Sequence, residues 1–459
     1  MAGVLGAHLN RRVALIGFMG AGKSTAARAA GGIDADDLIE AAAGKPIPEI
    51  FREDGEAAFR AHEERAIVLA LGGGAVTSAK VRDALDETLT VWLDVDVDTC
   101  WDRVRGSDRP LAQDEAEFRR LFDERRTLYA EAADVVAKDV HDVVLAAAGV
   151  HVERGSLAKL DLLVPGDGQV ALVSDAHVAG IHGMDAQLAL GSRLAETHEL
   201  PTGEEAKTLA AVDRLWQALR LDRRGTIVAL GGGCTTDAAG YAASAYLRGI
   251  EWVPVPSSLV GQVDAAIGGK TAIDLPQGKN LVGAFHWPSR VVVDQALLET
   301  LPELQRREGM SEVVKTGLLA GEPLWELEED EMVRRCAAFK AAVCLRDPHD
   351  EGERKMLNLG HTFAHALEAA AGYEGVTHGR AVALGLLAAL RLTGRDTGVV
   401  EELLRPSPVT VDRERAWEAL LRDKKGALRL VLLGDDGPEW DVPVPADDVR
   451  RELDRLIGP

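Results

Sequence analysis

The stretch Gly17–Thr25, GFMGAGKST, limits what this chain can fold into more than any other. It follows the short β-type apolar run Val13–Ile16 and precedes the helix-forming AARAA, so it reads as strand, glycine loop and helix. The spacing G-x-x-x-x-G-K-[ST] has a physical basis. Glycines let backbone N–H groups close on phosphate oxygens, Lys23 supplies a point charge and the Ser24 hydroxyl suits Mg²⁺. Gly20, Gly22 and Thr25 complete the loop expected to hold ATP. A strand that feeds a helix in this way belongs to a parallel α/β layer.

Length and charge bound the rest. At 459 residues the chain calls for two to four domains, and an apolar content of 46% supports real cores. Acidic residues outnumber basic ones, 74 against 52, which disfavours nucleic acid or an anionic membrane as partner. Small anionic substrates fit if Lys and Arg converge locally. The four cysteines, Cys100, Cys234, Cys336 and Cys344, form no CxxC pair, in keeping with a reducing cytoplasm. The start of the chain lacks a signal core, and the apolar run Ala381–Leu390 is too short to span a bilayer. A soluble cytoplasmic protein is expected.

Several polar groups follow the loop: Asp34 and Asp36 in IDADDLIE, then Glu56, Phe59, Arg60 and Glu63 at helical spacing. Gly73 lies in ALGGGAV, Arg109 in the lid-like RGSDRPL, and Arg125 in RRTLY. Singly, each charge is as well explained by solvation. Together, from Val13 to about Val136, they resemble shikimate kinase. The resemblance implies that Asp36 activates the shikimate hydroxyl with Lys23 as the other catalytic group. Arg60, Gly73 and Arg125 would join Asp36 in gripping shikimate, and Arg109 would close over ATP. The segment is trimmed: only eight residues separate Thr25 from Asp34.

Beyond a soft boundary near Gly149, strand-like runs (Gln169–Val173, Thr226–Leu230, Trp252–Val255) alternate with helical stretches, again a parallel α/β layer. ALGGGCTTDAAG is a glycine turn able to receive a pyrophosphate, and a plain structural turn is its alternative. TGEEAKT offers Glu204 and Lys207 to a ribose or phosphate. PSSLVGQVDAAIGGKTAIDLPQGKNLVGAFH carries Asp264, Lys270, Lys279 and Asn280 among small residues, and suits an anionic ligand better than a core.

In RKMLNLGHTFAHALEAAAGYEGVTH, Arg354 to His378, a continuous helix would project Asn358, His361 and His365 from one face, with Arg354 a turn earlier. His378 follows a glycine-marked turn. With Glu312, which lies one helical turn from Lys315, His361 and His378 make a zinc-type donor set with a position open. Lys340 and the pair Lys424 and Lys425 add charge.

Residues 160–440 look like 3-dehydroquinate synthase on the motifs PSSLVGQVDAAIGGKTAIDLPQGKNLVGAFHWP, GMSEVVK and LNLGHTFAHALE. The resemblance implies zinc, or Co²⁺, on Glu312, His361 and His378. NAD⁺ would lie against Asp175, Glu204, Lys207, Gly232, Gly233, Asp237, Ser257, Ser258, Lys279 and Thr300. Lys270, Lys315, Lys340, Arg354, Asn358 and His365 would be catalytic. Arg248, Asp264, Lys270, Asn280 and Lys424 would bind the heptulosonate phosphate, Arg248 across a homodimer interface. It also implies transient oxidation of a secondary alcohol, β-elimination of phosphate, return of the hydride and an aldol closure.

The expected organisation is therefore α/β throughout: a P-loop kinase domain over 1–148, a Rossmann-like NAD-binding domain over 149–300, and a mainly helical metal- and substrate-binding domain over 301–459. Two other readings stay open. The trimmed first segment could be a nucleotide-sensing module, and the remainder a related sugar-phosphate cyclase or a metal-dependent polyol dehydrogenase.

Overall fold

The structure, a computed structural model, describes residues 12–32, 69–107, 109–372, 375–423 and 428–458, with isolated positions between 40 and 52. The chain divides into two compact units, Met1–Val150 and His151–Pro459.

In the first unit the buried run after Arg12 forms the strand Arg12–Ile16, hydrogen-bonded in parallel to Leu69–Ala70 and to Thr88–Leu93. Val135–Ala137 extends the sheet beyond Thr88–Leu93. The all-parallel order matches the strand–loop–helix reading, because parallel neighbours need a crossover. The helix Lys23–Ala29 starts directly from the loop, with Gly22 in the left-handed region at φ 101°. Phe18 packs edge-on against Phe118 and Phe122 of the helix Glu115–Ala132, at 4.9 and 5.2 Å between ring centres.

The second unit holds a parallel sheet in the order Leu194–Leu200, Val170–Asp175, Thr226–Gly231, Glu251–Pro256. Its central strands alternate between two cores. Ala171, Val173, Ile227 and Ala229 enter one apolar cluster, while Val170, Leu172, Val228 and Leu230 enter another. Burial on both faces explains why these strands read as unbroken apolar runs. Leu194–Leu200, sequence LAETHEL, escapes that signal because it is an edge strand with polar residues and alternating exposure.

Pro256–His286 is neither plain helix nor plain strand. It contains a wide helical turn, Gly261–Ala265, and the hairpin of Lys270–Leu275 with Gly278–Phe285. Past it the unit is largely helical. His378–Leu392 is apolar on nearly every side and lies within a core that also takes Phe363, Leu367 and Leu453. Among the described residues no helix is long and apolar enough to cross a membrane.

The expected continuous helix from Arg354 through His365 is broken. Glu353–Asn358 is a tight 3₁₀ turn, Gly360 adopts φ 77°, and the α-helix begins at His361 and ends at Ala370. The break follows from packing. A Cβ on Gly360 would lie 2.8 Å from Leu386 N, and one on Gly385 would lie 2.0 Å from Gly360 O. The two backbones touch, and only glycine permits it.

Candidate active sites

In the first unit the loop is preset for an anion. Gly17, Gly20 and Gly22 all have positive φ, and Lys23 Nζ donates to the carbonyls of Gly17 and Phe18 at 2.9 and 3.0 Å. Arg103 ties the same loop, donating to Gly20 O and Ala21 O at 3.1 and 3.0 Å. Gly73 abuts the loop closely: a Cβ there would lie 2.9 Å from Met19 N. Its carbonyl accepts from Arg125 Nη1 at 3.0 Å and from the Tyr129 hydroxyl, so Gly73 and Arg125 are brought together. Arg125 is buried beside the Phe18 ring, whereas Arg109 is exposed just before the turn Pro110–Ala112. Asp36 and Arg60 lie outside the described residues.

In the second unit the turn after Thr226–Gly231 opens the helix Gly233–Ala245, whose first N–H groups form an anion-receptive end. Gly231 is tight against Thr235, a Cβ meeting that side chain at 2.6 Å, and Ser257 N donates to Gly231 O at 2.9 Å. Ser258 borders Gly232. Lys279 Nζ pairs with Glu204 Oε1 at 2.5 Å. Four of the expected dinucleotide contacts, Asp175, Lys207, Asp237 and Thr300, also have partners within the protein. Asp175 accepts from His177 N, Val178 N and Thr235 Oγ1 at 3.0 to 3.1 Å, which fixes the turn. Lys207 is buried between Asp237 (2.7 Å) and Asn280. Burial works against its charge, but Asp237 and Asp274 outweigh that and hold its pKa above the usual lysine range. Thr300 Oγ1 lies 2.8 Å from His182 Nε2.

Glu312, His361 and His378 converge, each offering a ligand atom within 4.8 Å of the others. Three elements supply them: Glu312 from the middle of Glu303–Ala320, His361 from the first position of its helix after Gly360, and His378 from the first position of the next. Glu312 Oε1 lies 3.5 Å from His361 Nε2 and 3.3 Å from His378 Nε2. Glu312 is fully buried; burial would raise its carboxyl, but Lys315 and the two imidazoles hold it well below the usual range. One hard oxygen and two imidazole nitrogens aimed at one point fit a divalent ion of the Zn²⁺ or Co²⁺ type.

From this cluster a chain of charges leads into a cavity of about 420 Å³. Lys315 contacts Glu312 and stands 3.9 Å from Asp264, and Lys340 donates to Asp264 at 2.5 Å. Burial would raise the Asp264 carboxyl, and the two ammonium groups bring it below its ordinary value. Lys270, Asn280, Lys340 and Arg354 line the cavity with Asp264. Arg354 is wholly buried, donating to Pro348 O and Gly268 O at 2.8 Å. Burial lowers the Lys270 pKa, opposed by Asp350 at 2.6 Å. His365 is exposed, its ring 5.6 Å from that of His361, and half-buried Asn358 ends the turn before Gly360.

Arg248 stays apart. It is exposed on a turn where it and Leu247 both adopt positive φ, and it does not line the cavity. Lys424 lies outside the described residues.

Sequence reasoning passed over Asp347, Asp350 and Glu368, and gave Glu308 a helix face but no role. Asp350 pairs with Lys270, and Asp347 accepts from the backbone N–H groups of Glu351, Gly352 and Arg354. Glu308 accepts from Thr377 Oγ1 and Gly379 N, flanking His378. Glu368 lies 3.5 Å from His378 Nδ1. Glu308 stands four residues before Glu312, and Glu368 three after His365 and seven after His361, so helical spacing sets each on a ligand-bearing face.

Comparison with known proteins agrees with this geometry. Family models match as "Shikimate kinase" over residues 19–148, "3-dehydroquinate synthase N-terminal" over 197–308 and "3-dehydroquinate synthase C-terminal" over 309–425. The 3-dehydroquinate synthase of Bordetella pertussis is 37% identical over 342 residues, covering 67% of this chain and 95% of its own. A crystal structure of 2-deoxy-scyllo-inosose synthase with carbaglucose-6-phosphate, NAD⁺ and Co²⁺ matches with TM-score 0.60 and 28% identity, over 67% of this chain and 96% of that one. ValA, the 2-epi-5-epi-valiolone synthase of Streptomyces hygroscopicus with NAD⁺ and Zn²⁺, matches with TM-score 0.59 and 25% identity over the same shares. The chain therefore belongs to the 3-dehydroquinate synthase family, with a shikimate kinase segment joined ahead of the synthase.

Proposed function

We propose that the chain carries two activities of the shikimate pathway. The second unit converts 3-deoxy-D-arabino-heptulosonate 7-phosphate to 3-dehydroquinate and phosphate, and the first phosphorylates shikimate with ATP. The observation that carries the synthase reading is the meeting of Glu312, His361 and His378, joined through Lys315 and Asp264 to a cavity edged with cations.

When bound, a Zn²⁺ or Co²⁺ ion held by Glu312, His361 and His378 would polarise a substrate hydroxyl while NAD⁺ accepts hydride. The chain's own residues supply binding, orientation and proton transfer. Lys270, Lys340 and Arg354 offer positive charge to phosphate and carboxylate, and burial of Arg354 makes its field strong where charge develops. Asp264 keeps the ammonium groups of Lys315 and Lys340 directed toward the site. His365, exposed on the face that carries His361, passes a proton through its ring nitrogen. Gly232, Gly233, Ser257, Ser258, Glu204 and Lys279 receive the dinucleotide, while Asp175, Lys207, Asp237 and Thr300 hold that surface in place.

In the first unit the N–H groups of Gly20 to Thr25 cradle the phosphates of MgATP, with Ser24 on Mg²⁺. Lys23 leaves the carbonyls of Gly17 and Phe18 to neutralise transferred charge. Asp36, Arg60, Gly73 and Arg125 hold shikimate, and Arg109 covers ATP. A cytoplasmic homodimer formed through the synthase unit belongs to the same proposal, with Arg248 reaching a partner's phosphate site and Lys424 the chain's own.

A paired assay on one preparation tests it. Phosphate release from the heptulosonate phosphate is followed with and without NAD⁺ and a zinc chelator, and ADP formation with shikimate alongside. Lys23→Ala should lower ADP formation about 10²- to 10³-fold and leave phosphate release intact. ATP binding without shikimate phosphorylation would make the first unit a nucleotide sensor. Turnover of a hexose phosphate in place of the heptulosonate would make the second a different cyclase.

A further inference from the structure

Glu368 is nearly inaccessible, at 4% exposure, yet carries a carboxylate that the proposed chemistry does not use. Its Oε1 lies 3.5 Å from His378 Nδ1, on the side of the ring away from Glu312. The same oxygen is 3.9 Å from Lys279 Nζ, and Lys279 is 2.5 Å from Glu204. A line of charge thus runs Glu312, His378, Glu368, Lys279, Glu204. One end is the metal-type cluster, and the other borders the surface assigned to the dinucleotide. Other carboxylates near His378 are differently engaged: Glu308 accepts from Thr377 Oγ1 and Gly379 N.

An imidazole that ligates a metal through one nitrogen has its tautomer and ring angle set by what the other nitrogen meets. A buried carboxylate shared between that imidazole and a lysine also has two arrangements, one favouring each partner.

We infer that Glu368 is a positioning residue: it orients His378 Nε2 toward the metal and, through Lys279, couples occupancy of the metal site to occupancy of the dinucleotide site. The inference rests on the synthase reading above. If NAD⁺ draws Lys279 toward itself, Glu368 is freed to hold His378 more firmly, and zinc binds more tightly. Linkage then requires zinc to tighten NAD⁺ by the same factor.

The test measures Zn²⁺ affinity of the full chain by competition with a chromogenic chelator, with and without saturating NAD⁺. The visible spectrum of the Co²⁺-loaded protein is recorded alongside. In the wild type, NAD⁺ should raise Zn²⁺ affinity about fivefold or more, within the usual range of coupling between sites. Glu368→Gln should lower Zn²⁺ affinity about 10- to 100-fold, shift the Co²⁺ bands and abolish the NAD⁺ effect. Lys279→Met, which frees Glu368 permanently, should raise NAD⁺-free Zn²⁺ affinity by about the factor that NAD⁺ gives the wild type, and show no further NAD⁺ effect at NAD⁺ concentrations shown by titration to saturate that variant. Glu368→Asp, which keeps the charge, should recover part of the affinity and serves if the glutamine variant does not fold.

Zn²⁺ affinity of Glu368→Gln within twofold of wild type, or an undiminished NAD⁺ effect in Lys279→Met, overturns the inference. A wild type that binds Zn²⁺ equally with and without NAD⁺ also overturns the coupling. A wild type that binds no Zn²⁺ at all overturns the synthase reading instead.

Discussion

Individual residues do two kinds of work near the cavity: some face the ligand, and others hold those that do. Asp347 is of the second kind. Its carboxylate gathers the N–H groups of Glu351, Gly352 and Arg354 at 2.8 to 3.0 Å, and so fixes the turn from which Arg354 enters the protein. Burial pushes its carboxyl up, but those N–H groups outweigh it and hold the carboxyl below 3.8. A depressed carboxyl contributes stability that is present above the ordinary pKa and lost as pH falls through the folded value. Asp347→Asn should therefore cost about 1 kcal/mol at pH 7 and weaken substrate binding, as loss of a charged acceptor does. The gap to wild type in urea titrations should close as pH falls below 3.8. A gap that persists unchanged at pH 3 would assign Asp347 no such role. Residues of this kind were hard to read in the chain. Glu312, His361 and His378 announce themselves through donor type and spacing, whereas Asp347 and Asp350 are ordinary surface-like acids until folding sets their neighbours.

At the scale of elements, periodicity was legible and interruptions were not. The buried strands of the second sheet, the glycine loop and the two-part segment Pro256–His286 follow from apolar runs and small-residue content. The edge strand Leu194–Leu200 and the break at Gly360 do not, because both depend on a neighbour distant in sequence. Helical spacing does bring His361 and His365 together, but Arg354 and Asn358 belong to a separate turn, from which Arg354 reaches the cavity. Gly360 sets that arrangement. Its φ of 77° and contact with Leu386 N leave no room for a side chain. Gly360→Ala should cost about 1–3 kcal/mol from backbone strain, beyond any displacement of the facing helix. Because His361 is the next residue, Zn²⁺ affinity should fall with stability. Denaturant titration and chelator competition measure the two losses, and a variant unchanged in both would remove Gly360 from the architecture of the site.

The molecule as a whole comprises two units, each with its own parallel sheet and core, joined near residue 150. The glycine loop and the metal cluster thus belong to separately built cores, and each ligand should stabilise only the unit that binds it. A ligand at a hundred times its Kd adds about 2.7 kcal/mol to the state it binds. Calorimetry of the full chain should show two unfolding transitions, as expected where domains do not unfold as one. MgATP should move one transition upward and leave the other in place, and Zn²⁺ with NAD⁺ should do the reverse. Lys23→Ala should erase the first response alone, and His361→Ala should remove the Zn²⁺ share of the second alone. A single transition raised by either ligand would mean that the two cores melt together, and the pairing of activities in one chain would then have an energetic consequence beyond shared synthesis.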